Sequence, residues 1–140
     1  MNPVIRAIGL AGATLALVSA PAAIAKQRET GEEKLAKLLE GRVAGEPENC
    51  ISEWQSRNMR VIDGTALVYG RGDTIYVNRT RNPQDIDRHD LLVFYRFGSQ
   101  LCRLDRVTTT DRISGFYTGN IFLTDFVPYT RVKKDEGEDG

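Results

Sequence analysis

The single histidine, His89, stands in the run Asp85-x-Asp87-x-His89, with Asp90 following. In an extended segment alternate side chains share a face. Asp85, Asp87 and His89 could then converge on a divalent metal through carboxylate oxygens and an imidazole. The same run also reads as a loop rich in turn-forming Asp. It lacks the central Gly and the closing Glu of a calcium loop. His89 is equally the one imidazole base open to a hydrolase. The serines it would serve are Ser52, Ser56, Ser99 and Ser114, and none lies in a G-x-S-x-G elbow. No carboxylate spacing singles out an acid and a base. The glycines of "YGRGDT" precede no helix, so a phosphate-cradling loop is not expected there.

Two cysteines, Cys50 and Cys102, offer a different chemistry. Neither has a second cysteine within a few residues, which argues against a C-x-x-C redox pair. With one histidine, a zinc site would lack ligands. A disulfide is the expected use, and with it no free thiol nucleophile remains. Such a bond closes a loop of about 53 residues and stabilises the chain by about 4 kcal/mol in the chain-entropy treatment. Arg71-Gly72-Asp73 matches the cell-adhesion tripeptide. Gly70 and Gly72 also supply the positive φ that a short reversal between two strands requires. Asn78-Arg79-Thr80 has the form of a glycosylation sequon, a pattern cheap enough to occur without use. Trp54 is expected in the core, as single aromatics usually are.

These groups sit in a 140-residue chain, long enough for one domain. Arg6, the apolar run from Ala7 to Val18, and Ala23-Ile24-Ala25 have the order of a secretory signal peptide, with cleavage expected after Ala25. A run of this length falls short of the roughly 20 residues that cross a bilayer. The expected organisation is a signal peptide over 1–25, a short helix and linker over 26–49, and a β-rich domain over 50–131. A disordered charged tail over 132–140 completes it. Localisation is therefore expected to be periplasmic, with no membrane span after cleavage.

Without Arg6 the equal count of 19 basic and 19 acidic residues becomes one net negative charge. That balance gives no long-range pull toward nucleic acid or anionic lipid. All five lysines, Lys26, Lys34, Lys37, Lys133 and Lys134, lie in the flanks, and every basic residue from Arg42 to Arg131 is arginine. An anion-binding face could be read into "YVNRTRN" and "FYRFGSQLCRLDR", although Arg–Asp pairing on a strand-rich surface explains them as well.

Thr30 and Glu33 have capping-box spacing, and Leu35, Leu38 and Leu39 form an apolar stripe, so one helix is expected over 30–40, stopped by Gly41. Strands are expected over 58–62 and 65–69, joined by a type I′ turn at Asp63-Gly64, and then over 74–78. The run 91–97 is apolar on both faces and suits a central or sandwiched strand. Further strands are expected at 106–110 and within 119–132, where Pro128 favours an edge or an end. The fold class is mainly β. The expected architecture is a small antiparallel sheet curled into a barrel or half-barrel, with one N-terminal helix and one disulfide.

"RVIDGTALVYGRGDTIYVNR", "VFYRFGSQLCRLDRV" and "FVPYT" resemble a family of small uncharacterised exported proteins of proteobacteria. The resemblance runs from about Cys50 to Arg131 and rests on a Cys followed by a Leu-Cys-x-x-Asp step. It implies export, a β-rich fold and a disulfide, and it brings no catalytic residues. Some relatives carry a second cysteine pair, whereas "NRTRNPQD" and "GNIFLTDF" here contain no cysteine. Together these features favour a non-enzymatic exported protein that binds or modulates an envelope protein or cell-wall component, with no cofactor. The alternatives are an inhibitor of a cell-wall lytic enzyme, by analogy of fold, and a small hydrolase or metal-binding protein using His89. An adhesin using Arg71-Gly72-Asp73 is a third, though a periplasmic address would hide it from host cells.

Overall fold

Thr30 closes a capping box. Its hydroxyl accepts from the Glu33 N–H at 3.2 Å, and Glu33 accepts from the Thr30 N–H at 2.6 Å. These bonds satisfy donors that a helix start otherwise leaves orphaned, and α1 runs over Gly31–Leu39. Gly31 is required by contact: a Cβ there would lie 1.9 Å from Thr65 Oγ1 and 2.8 Å from Asp63 O. The helix start thus seats directly on a strand connection.

The computed structural model describes residues 28–133. The signal peptide expected over 1–25 lies outside the described residues, as does the charged tail from 134 onward. After α1 come β1 (Arg42–Ala44), β2 (Cys50–Ile51), a four-residue α2 (Glu53–Ser56), β3 (Arg60–Ile62), β4 (Ala66–Tyr69) and β5 (Thr74–Asn78). A 3₁₀ turn at Pro83–Asp85, which starts after Asn82 as Pro at a first helical position favours, leads to β6 (Asp90–Tyr95). Then follow β7 (Leu101–Cys102), β8 (Arg106–Asp111), β9 (Tyr117–Ile121) and β10 (Val127–Arg131).

The strands form three separate antiparallel sheets, ordered β1-β10-β5-β4-β3, β2-β7 and β6-β8-β9. None closes or curls, and this overturns the barrel or half-barrel expected from the sequence. Closure needs the outer strands to pair with each other. Here β1 and β3 stand at opposite edges of the larger sheet with three residues each. The remaining strands build a second layer instead. One face of the larger sheet presents Ile62, Ala66, Val68, Ile75 and Val77 to Leu35 of α1, with Leu38 and Leu39 alongside. The other presents Leu67, Tyr69 and Tyr76 to Ile51, Leu101, Val107, Ile121 and Phe126. Full burial of each such side chain stabilises the fold by about 1.5–3 kcal/mol.

Consequently β4, not the 91–97 run, is the sandwiched strand: all four of its residues are buried. β6 is an edge strand whose burial alternates, with Leu92 and Phe94 packed on the core and Leu91, Val93 and Tyr95 outward. The stretch read as a linker also contributes β1, which pairs with β10. Two smaller expectations change too. Only Gly64 (φ 63°) has positive φ in the β3–β4 connection, whereas a type I′ turn needs it at both central residues. β10 is flanked on both sides despite Pro128. The Pro128 carbonyl accepts from Gly45 N–H, just past the end of β1. The missing donor therefore points to that side and costs the β5 ladder nothing.

Candidate functional site

Cys50 and Cys102 are direct cross-strand partners in the β2–β7 pair, and their sulfurs are bonded. The bond links two strands of two residues each, too short to persist alone. Beside it Ile51 and Leu101 enter the core.

The alternation of Asp85, Asp87 and His89 does not survive folding. Asp85 ends the 3₁₀ turn and accepts from the Asn82 side chain at 2.9 Å. Asp87 accepts from the His89 backbone N–H at 2.8 Å, an Asx-turn arrangement. Among the described residues no group of three His, Cys, Asp or Glu side chains is placed to hold a metal. The expected result of titrating calcium or zinc into the protein is heat of dilution only. A saturable binding isotherm that His89→Ala abolishes would restore the metal reading. Three of the four serines are engaged elsewhere: Ser52 caps α2, Ser56 bonds to Glu53 O, and Ser114 bonds to Asp111, while Ser99 is exposed in the β6–β7 connection. Asp111 also accepts from the Ser114 and Ile113 N–H groups, and these bonds hold its carboxyl below the usual range.

Arg71-Gly72-Asp73 forms the exposed β4–β5 reversal, with Gly70 at φ 84° and Gly72 at φ 82°. Its geometry is that of a hairpin tip. Asn78 of the sequon is fully buried, so the folded chain cannot present it for glycosylation. Trp54 departs from the core expectation: it is 78% exposed, on the short helix α2, with Arg57 against its ring. Of the five arginines of "YVNRTRN" and "FYRFGSQLCRLDR", Arg79 and Arg103 follow the pairing reading, and Arg81, Arg96 and Arg106 form no ion pair among the described residues. Arg79 forms a two-pronged bond with Glu32 of α1 at 2.7 and 2.9 Å, which lowers the Glu32 pKa. Arg103 pairs with Asp125 at 3.0 Å.

The most distinctive surface is the outer face of β6-β8-β9. Leu91, Val93 and Tyr95 lie opposite Thr110, Thr108 and Arg106, and Tyr117 stands opposite Thr110 on the far side. At 44%, 40% and 45% exposure Leu91, Val93 and Tyr95 form an apolar row along β6, and Tyr117, 63% exposed, stands across β8 from Leu91 with Thr110 between them. The Arg106 guanidinium rests 4.2 Å from the Tyr95 ring centroid. Beside this row runs the outer edge of β6, six residues long, free of Lys and Pro and unpaired among the described residues. Edge strands of this length are normally shortened, charged or covered, as β1 and β3 are at three residues each. The hydrophobicity of 91–97 signals this row in the sequence, but that reading places the residues inside rather than at an edge. Among the described residues no helix is long and apolar enough to cross a membrane. Searches against family models, curated proteins and solved structures find no match to this chain.

Proposed function

We propose that this chain is an exported, non-enzymatic binding protein that engages a protein of the cell envelope through β6 and the outer face of its sheet. The observation that carries the reading is the exposed apolar row Leu91, Val93 and Tyr95, with Tyr117 on the same face, beside a six-residue edge that no described strand pairs with. An extended partner segment added to that edge gains main-chain hydrogen bonds, and its alternate side chains cover the row. Charge selects the segment. Arg106 is exposed and forms no ion pair among the described residues, while strand alternation puts Asp90 on the face of Leu92 and Phe94, together with its cross-strand partner Asp111. The free charge of the face is positive, so the partner strand is apolar and acidic. Export is supported by Arg6, the apolar run after it, Ala23-Ile24-Ala25, and the disulfide, which suits an oxidising compartment. The resemblance to small exported proteobacterial proteins belongs to the same proposal.

Photo-crosslinking in cells tests the surface. A benzophenone amino acid at Val93 is expected to yield one discrete adduct with another protein. The same probe at Ala36, on the exposed side of α1, is expected to yield none. Equal adducts from both positions, or none from Val93, would overturn the proposal, and an adduct of the chain with itself would replace the partner by a second copy. If the partner is a cell-wall lytic enzyme, purified protein slows that enzyme and Val93→Asp restores its rate.

A further inference from the structure

Four arginines remote in sequence meet at one end of the larger sheet. Arg42 opens β1, Arg60 opens β3, Arg71 sits on the β4–β5 reversal and Arg131 ends β10. With Asn58 and Ile75 they line a cleft of about 310 Å³. Arg42 and Arg131 are direct cross-strand partners, a placement in which like charges destabilise a sheet. The Arg42 guanidinium is held by neutral acceptors: it donates to the Gly72 carbonyl at 2.8 Å and to the Asp73 carbonyl. Its fork is fixed in place while its charge stays uncompensated by a contacting carboxylate. Burial lowers its pKa most, repulsion from Arg131 and Arg60 adds to that, and Asp73 opposes it. Elsewhere four of the nine described arginines, Arg57, Arg79, Arg88 and Arg103, pair with carboxylates. None of the four cleft arginines is in an ion pair among the described residues.

We infer that this cleft is a binding site for a phosphoryl group, carried on a small molecule or as the headgroup of an anionic lipid. Guanidinium forks match the oxygens of phosphate and carboxylate alike, two bonds at a time. Charge favours phosphate here. A carboxylate brings one negative charge. A phosphate monoester brings about 1.5 to 2 and three acceptor oxygens, enough to engage several arginines at once. Such an anion would offset the Arg42–Arg131 repulsion that the unliganded sheet carries. The site is independent of the β6 surface, and either can fail without the other.

Titration of the full chain with pyrophosphate at low ionic strength is expected to show saturable binding with a Kd below about 1 mM. Arg60→Gln/Arg131→Gln should weaken it by about tenfold or more. Added salt should weaken it in the wild type. Both side chains are exposed, so the variant should fold, and its circular dichroism checks this. Pyrophosphate should raise the melting temperature of the wild type and not of the variant. Co-sedimentation with vesicles containing phosphatidic acid, whose headgroup is a phosphate monoester, against phosphatidylcholine alone, separates the two sources. Binding to pyrophosphate alone marks a soluble ligand, and binding to both marks a headgroup. The inference is overturned by no saturable binding in either arm, or by binding that the double substitution leaves unchanged.

Discussion

Replacing Cys50 and Cys102 together by Ala is expected to destabilise the domain by about 2–4 kcal/mol and to lower its melting temperature by roughly 10–20 °C. The bond spans 52 positions, so opening it releases a long loop in the unfolded chain. Loop entropy alone puts the effect near 4 kcal/mol, and residual structure in the unfolded chain reduces it. The folded state loses something as well. β2 and β7 pair through two residues each, and their partners to the bond, Ile51 and Leu101, are 1% and 0% exposed. Without the sulfur link, little holds that pair against the core except those two side chains. Urea unfolding is the measurement. The midpoint should fall, and the slope should steepen because an uncrosslinked unfolded chain exposes more surface. Dithiothreitol added to the wild type should reproduce the same midpoint. A midpoint within error of the oxidised wild type would mean that the bond is incidental to stability.

The parts of this fold legible in the sequence are those specified locally. Thr30 and Glu33 announce the helix start three residues apart, and the box forms as written. Gly70 and Gly72 announce the β4–β5 reversal because both supply positive φ. The Cys50–Cys102 bond follows from counting. What is lost is decided by register. The 91–97 run is apolar on both faces, so periodicity cannot say which face meets the core. Packing buries Leu92 and Phe94 and leaves Leu91, Val93 and Tyr95 outside. The shorter run of β4, flanked by glycines, is the strand covered on both sides. β1, β2 and β7 have two or three residues each and exist through their partners rather than their propensities. The arginine cleft has no local spacing at all. Arg42 meets Arg131 only because β1 pairs with β10.

Asn78→Ala is expected to cost about 3 kcal/mol, a large effect for one small polar side chain. Asn78 ends β5 with no exposed surface, and its amide grips the backbone of Thr124 from both sides. Its Nδ2 donates to the Thr124 carbonyl at 2.7 Å, and its Oδ1 accepts from the Thr124 N–H at 3.0 Å. That double bond places the 122–126 segment so that Leu123 and Phe126 enter the core on either side of Thr124. Truncation leaves a backbone donor and an acceptor without their partner, at about 1–3 kcal/mol for each buried group. Asn78→Asp separates this from a simple loss of volume. Its carboxylate can still accept from the N–H, but its second oxygen would face the Thr124 carbonyl, acceptor against acceptor. Burial and that contact raise the folded-state pKa of the introduced carboxyl above its unfolded value of about 3.9. The protonated form can donate where the amide did, so the penalty is smallest below about pH 4 and grows as pH rises through the folded-state value. Thermal melts of both variants from acid to neutral pH check the sign. An Asn78→Asp variant as stable as the wild type at every pH, beside a destabilised Asn78→Ala, would show that volume, not the amide clamp, is what the site requires.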